Sequence, residues 1–212
     1  MKSKLNATDK FICELDRAIR INIGLLSTFK PGPVKTYKNI KLTSEDRKIS
    51  ARLMRINHTG EICAQALYQG QAISTKNPEI SQMMKRAAEE ETDHLIWCEV
   101  RLRELESRVS YLNPIFYLGS FLIGTLAGTL GDKINLGLVA ATENGVVKHL
   151  QDHLEKLPEK DDRSREILLR MKEDEKQHAD KAIAAGAQQY PALVKGLMNW
   201  ASKIMTRTTY WI

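Results

Sequence analysis

Only three cysteines occur in the 212 residues, Cys13, Cys63 and Cys98; they lie far apart, are odd in number and form no CxxC pair. That excludes a disulfide framework and a cysteine zinc site, and fits a reducing, cytosolic environment. No stretch alternates apolar and polar residues with period two, so an essentially all-α chain is expected. The opening "MKSKLNATDKFICELDRAIRINIGLL" mixes both signs of charge through its apolar positions and lacks the apolar run and cleavage site of a secretory signal, so it reads as mature protein. Also missing are a zinc finger, a helix-turn-helix with obvious readout residues and an aromatic RNA-binding strand, so no nucleic-acid partner is expected.

Basic residues are present in excess, 32 Lys and Arg against 26 acids, for a net charge of +6. The excess is local. From Lys30 to Thr43 there are four lysines and no acid, and after Asp180 every charged side chain is basic: Lys181, Lys195, Lys203 and Arg207. Each run reads first as solvated surface, with an anionic membrane as the functional alternative.

The length favours one domain able to bury a substantial core. A first amphipathic helix is expected over about 8 to 28, with Ile12, Leu15, Ile19, Ile23 and Leu26 on one face. Pro31 and Pro33 end it, leaving "FKPGPVKTYKNIKL" as a linker. "TSED" reads as a helix start capped by Ser44 or Thr43, and that helix runs to about 74. Further helices are expected over 79 to 107, 133 to 157 and 162 to 186, with a short C-terminal helix opened by Pro191. The domain therefore divides into 1–43, a helix and basic linker; 44–186, a four-helix bundle; and 187–212, a C-terminal helix.

The inward stripe of the 79–107 helix is Ile80, Met84, Ala87, Glu91, His94, Cys98, Leu102 and Leu105, so the Glu and His of "ETDH" sit among apolar residues. The 162–186 helix repeats the anomaly, with Leu168, Met171, Glu175, His178, Ala182 and Ala185 in its stripe and "EKQH" at its centre. The other two long helices each carry one acid in the same place, Glu61 and Glu143, with no His three residues on. Glu61 is flanked by Leu53, Ile56 or Asn57, Ala64, and Leu67 or Tyr68; Glu143 by Leu136, Val139 or Ala140, Val146 or Val147, Leu150 and Leu154. Glu91 follows Glu61 by 30 residues and Glu175 follows Glu143 by 32, so the chain reads as a doubled helix hairpin.

Four buried carboxylates without compensation would cost several kcal/mol each. Two divalent irons supply the missing charge: four groups at −1 and two ions at +2 sum to zero, and neutral imidazoles add nothing. Spacing of i and i+3 lets one helix offer an oxygen and a nitrogen to the same ion. One Glu on each of two helices plus Glu-x-x-His on each of the other two is the arrangement of ferritin-like di-iron or di-manganese proteins. Hard oxygen ligands suit iron or manganese better than zinc. A lone Glu-x-x-His is usually an exposed salt-bridging face; two of them on apolar stripes, beside two further stripe glutamates, reverse that reading. His58 is expected in a supporting or surface role, His149 bordering the cavity, and His153 packed or facing solvent. Glu90, Asp93 and Asp174 are the acids available to orient the imidazoles, and Thr92 and Asp93 turn away from the inward stripe.

"VSYLNPIFYLGSFLIGTLAGTLG", Val109 to Gly131, carries no charge, but Asn113, Pro114 and four glycines interrupt it, so a simple transmembrane helix is not expected. It reads as the long apolar crossover between bundle helices 2 and 3, and also as a surface meeting the bilayer interface and a greasy substrate through Phe116, Tyr117, Phe121, Leu122 and Ile123. The GxxxG at Gly124 and Gly128 is too common to argue from.

"LMRINHTGEICAQALYQGQA", "AAEEETDHLIWCEVRLRELESRVSYLNPIFYLGS", "TENGVVKHLQDHLEKLP", "MKEDEKQHADKAI" and "KIMTRTTYWI" together resemble the demethoxyubiquinone hydroxylase (3-demethoxyubiquinol 3-hydroxylase) family of ubiquinone biosynthesis, strongly over about 40 to 212 and more loosely before it. The resemblance implies that Glu61, Glu91, His94, Glu143, Glu175 and His178 are six iron ligands, with none replaced. Glu91 and Glu175 would bridge, with Glu61 and His94 on one iron and Glu143 and His178 on the other. It further implies hydroxylation of the ring of a polyprenylated demethoxyubiquinol, the penultimate step of the pathway, with O2 as co-substrate and an external electron donor. Peripheral attachment to the cytoplasmic side of the cell membrane follows, helped by lysines near anionic headgroups. Other ubiquinone-biosynthesis proteins or a second copy are further candidate partners. Competing readings are a ferritin-like iron-storage or ferroxidase protein, a tRNA-hydroxylating di-iron enzyme, and a purely structural bundle.

Overall fold

The computed structural model describes residues 7–24, 32–33 and 41–212. The described residues form seven helices and no strand: α1 (Ala7–Ile23), α2 (Ser44–Ser74), α3 (Pro78–Glu104), α4 (Asn113–Thr129), α5 (Asp132–Lys156), α6 (Asp162–Ala184) and α7 (Ala192–Thr209). The all-α expectation and the four long bundle helices hold. The linker expected between Phe29 and Leu42 lies largely outside the described residues.

Local chemistry explains the helix starts. Thr43 is the cap of α2: its hydroxyl accepts from the Asp46 amide at 3.1 Å, with Glu45 and Asp46 placed at the positive end of the helix. Asn77 caps α3 ahead of Pro78, and the Asp161 carboxylate accepts from Ser164 N to start α6. Pro191 precedes α7, as expected.

Two hairpins, α2 with α3 and α5 with α6, make the bundle, and α3 meets α6 across it. One apolar cluster fills one end around Met54, Cys98, Leu102, Leu150, Leu168 and Met171; another fills the opposite end around Tyr68, Met84, Leu136, Val139 and Ala182. The carboxylate and imidazole side chains lie between them. Polar ties hold the helices in register. Gln65 Nε2 donates to Ala88 O at 2.7 Å and Gln71 Nε2 to Asn135 O at 2.7 Å. Arg101 ties α3 to the start of α6 through Asp161 (2.8 Å) and Ser164 (2.9 Å).

The charge-free connection is a helix packed lengthwise on α2, pointing the same way. Asn113 lies against Thr59, Gly124 against the Leu67 carbonyl and Gly128 against Gln71 and Ser74. A Cβ at Gly70 would sit 2.7 Å from the Thr125 amide nitrogen, so glycines on both helices permit the approach. The GxxxG pair thus serves this contact. Covered by α4 on its outer side, α2 is buried nearly all round.

Two expectations need correction. Among the described side chains of α1 the buried one is Ile21, packed with Ile62, Ala66, Leu95 and Tyr117, while Ile12, Leu15 and Ile19 are exposed. Among the described side chains of α1, those held to α2 are toward its C-terminal end, Ala18, Ile21 and Arg17, which bonds Gln65 at 3.3 Å, so the described part of the expected stripe is not a packing face. The Ile23 side chain and Leu26 lie outside what is described. In α6, Ala185 is the exposed C-cap rather than part of the stripe.

Candidate metal centre

Glu61 from α2, Glu91 and His94 from α3, Glu143 from α5, and Glu175 and His178 from α6 are all buried, none more than 5% exposed. Ligand atoms of Glu61, Glu91, His94 and Glu175 lie within 4.8 Å of one another, a group able to hold a metal ion. His178 joins them through Nδ1, 2.9 Å from Glu91 Oε1 and 3.1 Å from Glu175 Oε2. His94 Nδ1 is 2.9 Å from Glu91 Oε2, 3.0 Å from Glu175 Oε1 and 3.9 Å from Glu61 Oε2. Each of the two central carboxylates therefore touches both imidazoles, one with each oxygen. Glu143 accepts a hydrogen bond from the buried Tyr68 hydroxyl.

Outside the cluster the two histidines are held crosswise. His94 Nε2 faces Asp174 Oδ2 at 3.2 Å, and His178 Nε2 faces Glu90 Oε2 at 2.7 Å. Asp174 is in turn held by Arg170, 3.0 Å from its Nε. A carboxylate at Nε2 takes the N–H of a neutral ring, which leaves the Nδ1 lone pair facing the central glutamates. Of the three acids available in the sequence, the structure selects Glu90 and Asp174. Asp93 and Thr92 take no place in the cluster; Asp93 is nonetheless buried, and Thr92 accepts from Gln65.

The electrostatics record a shortage of positive charge. Burial, then Glu91 and Glu175, raises Glu61 well above the usual carboxylate range; burial, then Glu175 and Glu91, does the same to Glu143. Burial would raise Glu91 too, but His94 and His178 outweigh it and hold that carboxyl low. Burial would lower the imidazoles, yet Glu91 with Asp174 and Glu175 holds His94 well above its ordinary value, and Glu175 and Glu91 push His178 up to about 11. Glu91 Oε1 and Glu175 Oε1 are buried without a hydrogen bond although each lies beside an imidazole nitrogen. Lone pairs converging from carboxylates and imidazoles are the donor set of a hard divalent ion, and the residues fit one.

A cavity of about 570 Å³ adjoins this cluster, lined inside by Tyr68, Met84, Ala87, Val139 and His178 and at its rim by Arg86, Glu90 and Lys181. Neither His149, expected to border the cavity, nor any of Phe116 to Ile123 lines it. Tyr117, expected on a substrate- or membrane-facing surface, is instead turned inward and bonded to Gln69. Phe116 and Phe121 are half-buried, Phe121 against the cluster that contains Ile62 and Ala66, whereas Leu122 and Ile123 are exposed. The exposed face of α4 also includes Ile115, Leu118 and Leu126, which the sequence reading did not single out. Among the described residues no helix is long and apolar enough to cross a membrane.

The other histidines are structural neighbours. His58 is buried beside Asn113 (3.4 Å) rather than at the surface, and His153 is buried against Asn57 (2.8 Å). His149 is half-buried with its ring 3.9 Å from that of His153. Sequence reasoning placed Tyr68 as one option in the α2 stripe without a role; its seven-residue offset from Glu61, which keeps it on the same face, was the available signal.

The chain matches the profile described as "Ubiquinone biosynthesis protein COQ7" over residues 48–209. It is 50% identical to the 3-demethoxyubiquinol 3-hydroxylase of Nitrosomonas europaea over 204 residues, 96% of this chain and 98% of that protein. It is 50% identical to the protein of that name from Azotobacter vinelandii, covering 97% of this chain and 96% of the relative. The Pseudomonas aeruginosa protein of the same name is 49% identical over 95% of this chain and 94% of its own length.

Proposed function

Because the chain belongs to the COQ7 family of ubiquinone biosynthesis proteins, we propose that it is a di-iron 3-demethoxyubiquinol 3-hydroxylase, acting on the ring of a polyprenylated demethoxyubiquinol at the penultimate step of the pathway. The observation that carries this reading is the pair Glu91 and Glu175, each in reach of both imidazoles at the centre of a buried bundle. In this reading two irons would be held by Glu91 and Glu175 together with Glu61 and His94 on one side and Glu143 and His178 on the other. The family's near full-length relatives carry the hydroxylase name, so iron storage and tRNA hydroxylation are not favoured.

When bound, the irons supply the redox chemistry, in which one atom of O2 replaces a ring hydrogen as hydroxyl and the other leaves as water, using two electrons and two protons from an external donor. The chain does the rest. Asp174 and Glu90 fix ring tautomer and orientation for His94 and His178, and Tyr68 holds Glu143 by its Oε1. The apolar walls of the 570 Å³ cavity, Met84, Ala87 and Val139, exclude water and accept an aromatic ring beside the cluster.

The polyprenyl tail calls for an apolar surface, and the exposed faces of α1 and α4 supply one. Peripheral attachment on the cytoplasmic side of the cell membrane belongs to the same proposal, as does a single domain made of helix and linker (1–43), bundle (44–186) and C-terminal helix (187–212). The test is anaerobic loading with ferrous iron, then demethoxyubiquinol and 18O2 with mass analysis. One labelled oxygen in the quinol is expected. Two irons bound per chain without hydroxylation under any reductant would sink the reading and favour storage.

A further inference from the structure

At the N-terminal end of α2 a cleft of about 410 Å³ is lined by Arg47, Lys48, Arg52 and Arg55, with Glu106 its one carboxylate residue among the described residues. Glu106 is engaged by Arg47 at 2.6 Å. Arg55 and Arg52 are held by neutral groups. Arg55 donates from Nε to Arg108 O and from Nη2 to Ser107 Oγ, both at 2.9 Å, and from Nη1 to Tyr210 O at 3.4 Å. The Arg52 guanidinium lies 4.3 Å from the Trp211 ring centre and 5.0 Å from that of Tyr210. Arg108, just outside, lies over Tyr111 at 3.8 Å. The first-turn acids Glu45 and Asp46 do not line the cleft, and Asp46 is bonded to Thr43.

A solvated basic face normally lets its long side chains separate and pair with water. Here backbone carbonyls and aromatic faces hold the guanidinium groups close together, and burial followed by repulsion from Arg108 and Arg52 lowers the Arg55 pKa. Such a fixed, uncompensated fork is preorganised for a tetrahedral oxyanion, because guanidinium donors pair with phosphate oxygens two at a time. In the sequence, the run from Lys30 to Thr43, four lysines without an acid, directly precedes this helix. That run has no part in the proposed iron chemistry.

We propose that this cleft is a phosphate-binding site, taking a phosphate diester or a diphosphate through Arg52, Arg55 and Lys48. The volume accommodates a group of that size with accompanying water. Two sources share this chemistry: the headgroup of an anionic phospholipid, met at the rim of the exposed apolar surface around Tyr111 and Ile115, or a soluble phosphate compound. The proposal is independent of the iron-site reading.

The test uses the full chain with two probes, inorganic pyrophosphate by calorimetry and flotation with phosphatidylcholine vesicles with or without phosphatidylglycerol. Lys48→Gln/Arg52→Gln is compared with Lys148→Gln/Lys160→Gln, which removes the same charge from exposed lysines elsewhere. The first pair should weaken binding about tenfold or more, and the second by less than about twofold. Weakening of pyrophosphate binding supports the site and assigns a soluble ligand; weakening confined to phosphatidylglycerol vesicles supports it and assigns the headgroup. Equal effects of the two pairs, or no effect with either probe, would overturn the proposal. Should the double variant melt early, Lys48→Gln alone decides on the same criteria.

Discussion

Asp174 on α6 accepts from the outward nitrogen of His94 on α3, 3.2 Å away, while its chain neighbour Glu175 reaches the inward nitrogen of the same ring at 3.0 Å. The relation is repeated in reverse, with Glu90 and Glu91 of α3 on the two nitrogens of His178. Consecutive acids on one helix thus grip both edges of the imidazole on the other. Asp174→Asn and Glu90→Gln keep the side-chain shape but give up the carboxylate's hold on the ring. Each should weaken ferrous-ion affinity by roughly ten- to a hundredfold with little change in helix content, measured by anaerobic titration and circular dichroism. Unchanged affinity in both would show that these acids do not orient ligands.

Tyr68→Phe removes the hydroxyl donated to Glu143 while leaving the ring in its apolar cluster. Iron stoichiometry should survive, stability should fall by about 1 kcal/mol, and turnover should drop by about tenfold. Wild-type turnover would mean that the phenol only packs.

Gly124→Leu should loosen α4 from α2, because any Cβ there collides with the Leu67 backbone. Overpacking of this kind costs about 1–3 kcal/mol, readable as a lower melting temperature. Gly119→Ala, where a Cβ meets nothing, is the matched control and should melt within a degree or so of wild type.

Burial lowers His58 to about 3, His149 to about 4 and His153 to about 2 from an ordinary value of 6.5. Between these values and 6.5 the unfolded chain binds protons that the folded chain does not. Their contribution to stability is therefore present above 6.5 and lost as pH falls through the window. Denaturant titrations from pH 7 to 4 should show a shallower decline in His58→Gln than in wild type; parallel curves would refute the assignment.

Leu118→Ser/Leu122→Ser removes two exposed apolar side chains of α4 without touching the bundle core. Vesicle binding and use of long-tailed quinol should fall several-fold, since each such side chain is worth about 1.5–3 kcal/mol when fully buried. Iron content should not change. Equal loss of iron would show that the α4 face supports the bundle rather than the membrane.

Helix order, a cap at Thr43 or Ser44, the hairpin repeat and the six buried side chains were legible in the sequence; the structure chose Thr43. Helical periodicity places i, i+3 and i+7 on one face whatever packs against it, and a carboxylate on an apolar stripe has few uses. What the sequence could not decide depended on contacts between helices. Glu90 and Asp174 were distinguishable from Asp93 only once α3 and α6 were docked, because each reaches the histidine of the opposite helix. The inward turn of Tyr117 and the exposed stripe of α1 depended on which side of α2 each neighbour occupies. The sequence by itself determined which residues share a face and what charge that face must find; only the tertiary structure decided which partners meet it, because a side chain's periodicity is a local property and its burial is not.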